Sequence, residues 1–203
     1  GKCVKKLLIL SGGIEAAEAI KIAKKMGLYV IICDGNFNAP TRELADDFIH
    51  ASIYHPDEII KALAKYPHKD SIDGVITVAA DNPFSVSAAA ELLGLNSLSK
   101  ETAVLSTNKI KMKDVLHKSG VLLPWYQEIK TLEQLIEIVE SRPGEYVLKP
   151  IDSRGSRGVI RLNNTSQCKH AFNYSNSYSN ANQIILEEWI TGDQLSSESI
   201  VIN

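Results

Sequence analysis

Val147-Leu148-Lys149-Pro150-Ile151-Asp152-Ser153-Arg154-Gly155-Ser156-Arg157-Gly158-Val159 sets a strand lysine directly before a turn rich in glycine, serine and arginine. Pro150 disfavours helical backbone at the residue before it, so Lys149 is extended and its ammonium stands on one face of a strand. The connection from Asp152 to Arg157 is too short for a crossover, so strands at 145–151 and 158–162 form an antiparallel hairpin. Gly155 and Gly158 let backbone amides approach a polyphosphate, Ser153 and Ser156 add hydroxyl donors, and Arg154 and Arg157 add charge-assisted ones. The same residues also suit a plain solvated turn. Glycine loops of protein kinases sit on hairpins too, but there the lysine follows the loop, and neither H-R-D nor D-F-G occurs here.

Around this hairpin lies a chain of 203 residues, enough for one large domain or two modest ones. Apolar residues make up 44% and charged residues 23%, which is ordinary globular usage and excludes collagen-like and disordered classes. Lys plus Arg number 22 against 24 Asp plus Glu, and no basic block occurs. The field that draws proteins to nucleic acid or anionic membrane is therefore missing, and any polyanion is small and gripped locally. No apolar run approaches the ~20 residues that span a bilayer. Three widely spaced cysteines (Cys3, Cys33, Cys168) and no secretory signal fit a reducing cytoplasm, with Cys33 a buried thiol in an apolar run.

Upstream, Leu7-Leu8-Ile9-Leu10, a helix near 14–26, 29–33, a helix near 57–66, Val75-Ile76-Thr77-Val78 and a helix near 85–93 alternate as βα units. Consecutive apolar strand positions predict a parallel sheet covered on both faces. Ser11-Gly12-Gly13, Asp34, Asp81 and Asn82 gather at strand ends, where open α/β sheets bind ligands. The free N–H groups of Ser11-Gly12-Gly13 suit an anion. A dinucleotide fingerprint read there gives Ser11, Gly13 and Ala16 with Asp34 on the ribose, which keeps a Rossmann-type oxidoreductase as an alternative. A non-catalytic nucleotide-binding or partner-docking module is the other.

Beyond 95 the pattern becomes α+β. A short helix near Glu101 precedes a helix that turns Ile110, Met112, Val115 and Leu116 inward and ends at Ser119-Gly120; Lys109 and Lys113 share one of its faces. A strand near 125–129 and a helix over 132–140 follow, and 163–183 reads as a short helix and a variable surface loop. Ile184-Ile185-Leu186 opens a strand in which Glu187 and Glu188 point to opposite faces. An apolar strand-like run ends the chain at Asn203, which predicts a fragment of a longer polypeptide.

Asn108-Lys109 with Met112-Lys113, then Val147-Leu148-Lys149-Pro150, the Ser/Arg/Gly turn, and Glu187-Glu188-Trp189-Ile190 with Gly192 and Glu198 resemble, in that order, the ATP-grasp superfamily, with carbamoyl-phosphate-synthase-like proteins and amino-acid ligases nearest. The resemblance implies an α/β fold: a pre-ATP-grasp, Rossmann-like parallel-sheet domain at 1–98, an α+β small lobe at 99–188 and the start of a second lobe at 189–203. It implies that Lys109 and Lys149 contact the phosphates of ATP, that Ser153, Arg154, Gly155, Ser156, Arg157 and Gly158 close over the β- and γ-phosphates, and that Glu187, Glu188, Trp189 and Ile190 hold the adenine edge. Asn108 stands where many members carry Asp, and Gln194 where a ribose-binding Glu is frequent, so ribose falls to Gln194 or Glu198. The Mg²⁺ ligands are expected after Asn203. The implied reaction joins a small carboxylate to an amine or other nucleophilic acceptor through an acyl phosphate, with Ser11, Gly12, Gly13, Asp34, Asp81 and Asn82 as the substrate crevice. It implies no nucleic-acid or membrane partner and leaves a homodimer open.

Overall fold

The computed structural model describes residues 4–153 and 155–199. Cys3, Arg154 and the apolar run at 200–203 lie outside the described residues. The chain forms two compact units, Gly1–Ser106 and Thr107–Asn203.

In the first unit, β1 (Lys6–Ile9), β2 (Tyr29–Asp34), β3 (Asp47–His50) and β4 (Gly74–Ile76) make a parallel sheet in the order β3-β2-β1-β4. The run Leu8-Ile9-Leu10 is buried throughout, because alternate residues serve opposite faces. Leu8, Ile31 and Cys33 pack with Ile59 and Leu63 of α2 (Pro56–Lys65) and Ala89 of α3 (Pro83–Leu93). Ile9, Val30 and Ile32 pack with Ile20 and Ala23 of α1 (Ala17–Lys25). Cys33 is a structural thiol: its S–H faces the Ala51 carbonyl at 3.7 Å, and burial pushes it up to about 12. Strand β3 has no counterpart in the apolar pattern. It is an edge strand of Asp47-Phe48-Ile49-His50, paired on one side only, so half of its residues are polar.

The first unit ends with α4 (Lys100–Thr107), and the second holds α5 (Lys109–Lys118), β5 (Tyr126–Ile129), α6 (Leu132–Ser141), β6 (Tyr146–Pro150), β7 (Ile160–Leu162), α7 (Cys168–Ser177) and β8 (Ile184–Glu188). Its sheet runs β5-β8-β6-β7 with every pair antiparallel. Tyr146, Leu148, Ile184 and Leu186 face a core completed by Leu135 and Val139 of α6 and Cys168 and Ala171 of α7. The short helix read within 163–183 is α7, and its Cys168, Ala171 and Ser175 are buried; small residues and serines let it lie close to the sheet. One expectation changes here. On α5, Met112 and Val115 are exposed and Lys113 is the buried residue. Among the described residues no helix is long and apolar enough to cross a membrane.

Candidate functional site

The register of the second sheet decides which polar groups meet. Tyr126, Glu187 and Val147 stand side by side across β5, β8 and β6, and Ile185 stands beside Lys149, all on the face opposite the α6–α7 core. Strand alternation thus sends Glu187 to this face and Glu188 to the other, where Glu188 pairs with the half-exposed Arg142 at 3.4 Å. β8 is an interior strand, so Glu187 is covered from both flanks and its side chain is only 8% exposed.

Two cations reach that carboxylate. Lys149 Nζ lies 3.0 Å from Glu187 Oε2, and Lys113 Nζ lies 3.4 Å from Oε1. Both contacts are attractions of charge, and Oε1 is buried and accepts no hydrogen bond among the described residues. Two ammoniums share one carboxylate and one positive charge is left over. Such an arrangement is a poor stability device. A pair about 4 Å apart gains roughly 4 kcal/mol at an effective dielectric of ~20, while each buried ion loses several kcal/mol of hydration. The cluster leaves one positive charge and one carboxylate oxygen unmatched among the described residues.

Lys109 sits at the start of α5, whose N-cap is Asn108: the Asn108 side-chain oxygen accepts from the Ile110 and Lys111 amides at 3.1 and 3.0 Å. The Lys109 ammonium donates to the Ile151 and Ser153 carbonyls at 3.3 and 3.1 Å, which brings it to the entry of the β6–β7 hairpin. Within that hairpin Ser153 Oγ donates to the Arg157 carbonyl at 2.7 Å, and the backbone is left-handed at Gly155, Ser156 and Gly158. Gly155, Ser156 and Arg157 are exposed, whereas Gly158 is buried against Pro150 and Tyr178. Gly158 is therefore required for packing, beyond any approach to a ligand. Asp152, to which the sequence assigned no role, ties the hairpin down: it accepts from Ser179 Oγ at 3.0 Å and from the Asn180 and Ala181 amides at 3.0 and 3.1 Å. Lys113 joins the cluster from the same helix; its signal in the sequence is the spacing of four from Lys109.

After β8 the Glu188 amide bonds to the Trp125 carbonyl at 2.9 Å and the Trp189 amide to the Glu145 carbonyl at 2.8 Å. Trp189 stacks under the Arg161 guanidinium, 4.5 Å from ring centroid to Cζ. Ile190, Gln194 and Glu198 are exposed in a segment without regular structure.

In the first unit, Ser11, Gly13, Asp34, Ser52, Tyr54 and Glu15 are among the residues that line a cavity of about 260 Å³ at the strand ends. Gly12 lies behind it. Its amide is committed to Asp34 Oδ2 at 2.8 Å, and a Cβ there would stand 2.9 Å from the Asp34 and Ala39 Cβ atoms. The free amide expected at this turn is thus taken, and the Asp34 carboxylate that a ribose would need holds the turn, with its Oδ1 on the Asn36 amide at 2.8 Å. Asp81 and Asn82 line a separate pocket of about 360 Å³ with Thr77, Val86 and Leu98. The Asn82 amide nitrogen bridges the Leu10 and Ile53 carbonyls at 2.9 and 3.1 Å, which fixes the strand ends.

Comparison with known proteins matches this geometry to known folds. The ATP-grasp N-terminal domain family matches residues 20–96 and the ATP-grasp domain family matches residues 106–203. The chain is 24% identical over 194 residues to a formate-dependent phosphoribosylglycinamide formyltransferase of Bacteroides fragilis, covering 94% of this chain and 49% of that protein. An L-amino acid ligase from Bacillus licheniformis superposes with a TM-score of 0.72 at 23% identity, over 95% of this chain and 46% of that one. The biotin carboxylase domain of the Hydrogenobacter thermophilus 2-oxoglutarate carboxylase, solved with MgADP and bicarbonate, superposes with a TM-score of 0.74 at 17% identity, over 94% and 45%. The chain spans about half the length of the curated relatives it matches. Because the two matched stretches fall on its two units in the order the motifs require, the chain belongs to the ATP-grasp superfamily.

Proposed function

We propose that the protein is an ATP-dependent carboxylate–amine (or similar) ligase that works through an acyl phosphate, and that the second unit carries its nucleotide site. The observation that carries the reading is Glu187: a buried carboxylate with one oxygen unmatched, held between two lysines that together bring a surplus positive charge. The unmatched oxygen suits the exocyclic amine of adenine, and the surplus charge suits phosphate. In this reading Lys149 and Lys109 contact the phosphates. Residues 153–158, Arg154 included, close over the β- and γ-phosphates. Glu187 with backbone groups of Glu188 and Ile190 holds the adenine edge beside Trp189, and Gln194 or Glu198 meets the ribose.

The chemistry follows from what these groups supply. A substrate carboxylate oxygen attacks the γ-phosphorus, the bond to the β-bridging oxygen breaks, and ADP leaves; an amine then attacks the acyl carbon and inorganic phosphate leaves. Positioning and neutralisation of phosphate charge perform the first step, so no protein nucleophile is needed. Mg²⁺ would neutralise phosphate charge further, but among the described residues no three His, Cys, Asp or Glu side chains converge on a metal position, so no ligand is assigned. Asp34 and Glu15 make the crevice of the first unit suited to an amine rather than to the carboxylate. Titration with ethylammonium is expected to shift the Ser11, Gly13 and Ser52 amide resonances, and acetate is not; the opposite pattern rejects the acceptor assignment. Buried free thiols at Cys33 and Cys168 support a cytoplasmic location.

The reading is tested by thermal unfolding with MgATP. At a hundredfold excess over Kd, binding adds about 2.7 kcal/mol, and for a unit of this size that raises Tm by roughly 10 °C or more. Lys149→Ala is expected to weaken ATP about a hundredfold, equivalent to ~2.7 kcal/mol, and so to erase most of the shift. A shift retained in the variant rules out the phosphate role of Lys149, and NADH binding without any ATP effect supports the dinucleotide alternative.

A further inference from the structure

We propose that Lys113 is a positioning residue that makes the nucleotide site selective for a 6-aminopurine over a 6-oxopurine, an inference that rests on the nucleotide reading above. Helix α5 turns a lysine inward while Met112 and Val115 stay exposed, so an apolar contact is not what holds that face. The Lys113 side chain is 10% exposed, and its ammonium is fixed from two sides. Glu187 Oε1 lies 3.4 Å away, and the ring centroid of Tyr126, the residue directly opposite Glu187 in the sheet, lies 5.4 Å away. Tyr126 is itself held, its hydroxyl donating to Asp114 on the same helix at 2.8 Å.

The consequence comes from counting what Lys149 must do. It is the cation nearest Glu187, 3.0 Å from Oε2, and it stands on the strand that leads into the phosphate hairpin. Once Lys149 also serves a phosphate, Glu187 keeps a second counter-charge only because Lys113 is present. Lys113 attracts Oε1 without saturating it, so one oxygen stays turned away from Lys149 and open as an acceptor. Without Lys113 both carboxylate oxygens collapse onto Lys149, and the ligand loses its acceptor. A carboxylate oxygen in that place accepts from the 6-amino group of adenine and repels a 6-oxo group, which is itself an acceptor. The division of labour is then clear: Lys149 serves the phosphates, and Lys113 keeps Glu187 aimed at the base.

Binding of ATP and of inosine triphosphate, whose base carries a 6-oxo group and a protonated N1 in place of the 6-amino group and bare N1, tests the inference, because Lys113 is read through the 6-position. Lys113→Met is expected to reduce the ATP preference at least about tenfold, by weakening ATP while inosine triphosphate binding changes little, since a site built around one hydrogen bond discriminates through it. Lys113→Arg is expected to restore most of the preference. Lys113→Gln, which keeps a polar end without the charge, gives the same readout should the methionine variant not fold. Equal weakening of both nucleotides, or an unchanged ratio, overturns the inference and leaves the nucleotide reading standing. Failure of the wild-type protein to bind either nucleotide overturns the reading beneath it.

Discussion

Glu187→Ala is expected to lower the stability of the second unit by about 3–5 kcal/mol, because removing one member of a buried ionic cluster strands the rest. The stranded groups are unequal. Lys149 is 23% exposed and can extend its ammonium toward water, but Lys113 at 10% is walled in by Tyr126 and the sheet. Its charge is left without a partner in a site that excludes solvent, which is the costly case. At 4–8 °C per kcal/mol for a unit of this size, a fall in Tm of roughly 12 °C or more follows. Lys113→Met in the Glu187→Ala background is expected to recover a large part of it, since the stranded ion is then gone. A loss below about 1 kcal/mol for Glu187→Ala would show that water already reaches the cluster. The same variant has a binding signature: tripolyphosphate, which carries no base, still binds at Lys149, while the preference for ATP over inosine triphosphate disappears. Stability and specificity thus report on one carboxylate by independent routes.

Gly158→Ala is expected to be the most damaging small substitution in the phosphate hairpin, at about 2–5 kcal/mol. Its φ of 74° is left-handed, which costs an L-residue about 1–2 kcal/mol. The added Cβ would also stand 2.7 Å from Pro150 Cγ and 2.8 Å from Tyr178 Cβ. Neither atom is the free end of a flexible chain, so β7 or α7 must shift, and overpacking of this kind costs about 1–3 kcal/mol more. The Gly158 carbonyl accepts from Ser175 Oγ at 2.6 Å in the buried interior, so a shift also breaks the tie between hairpin and α7. Because Lys149 precedes Pro150 directly, the displacement reaches the nucleotide lysine, and ATP affinity is expected to fall with stability. Gly155→Ala has no neighbour within 4 Å and bears only the backbone cost, so the two glycines separate packing from conformation. Equal effects for both in urea unfolding would reject the packing role of Gly158.

The βα alternation, the hairpin and the Lys-Pro dipeptide were legible because each is a local rule: consecutive apolar residues, a short connection, a proline after a lysine. The edge strand at Asp47–His50 was not, since a strand with one partner needs no apolar run. The helix at Cys168–Ser177 was legible only as a short helix within 163–183, because what it buries is cysteine, alanine and serine, which register weakly as apolar. Asp34 was legible as a turn residue, but that its carboxylate would take the Gly12 amide, and so withdraw that amide from any anion, depends on two strands lying side by side.

By itself the sequence determined the order of elements and the identity of the chemistry-bearing residues, because backbone preference and side-chain type act within a few positions of the chain. Only the tertiary structure decided that Lys113, Lys149 and Glu187, drawn from α5, β6 and β8, share one buried cluster with an oxygen left over. The physical reason is that charge interaction and desolvation depend on distance and burial in space, and neither quantity is written in the spacing of residues along the chain.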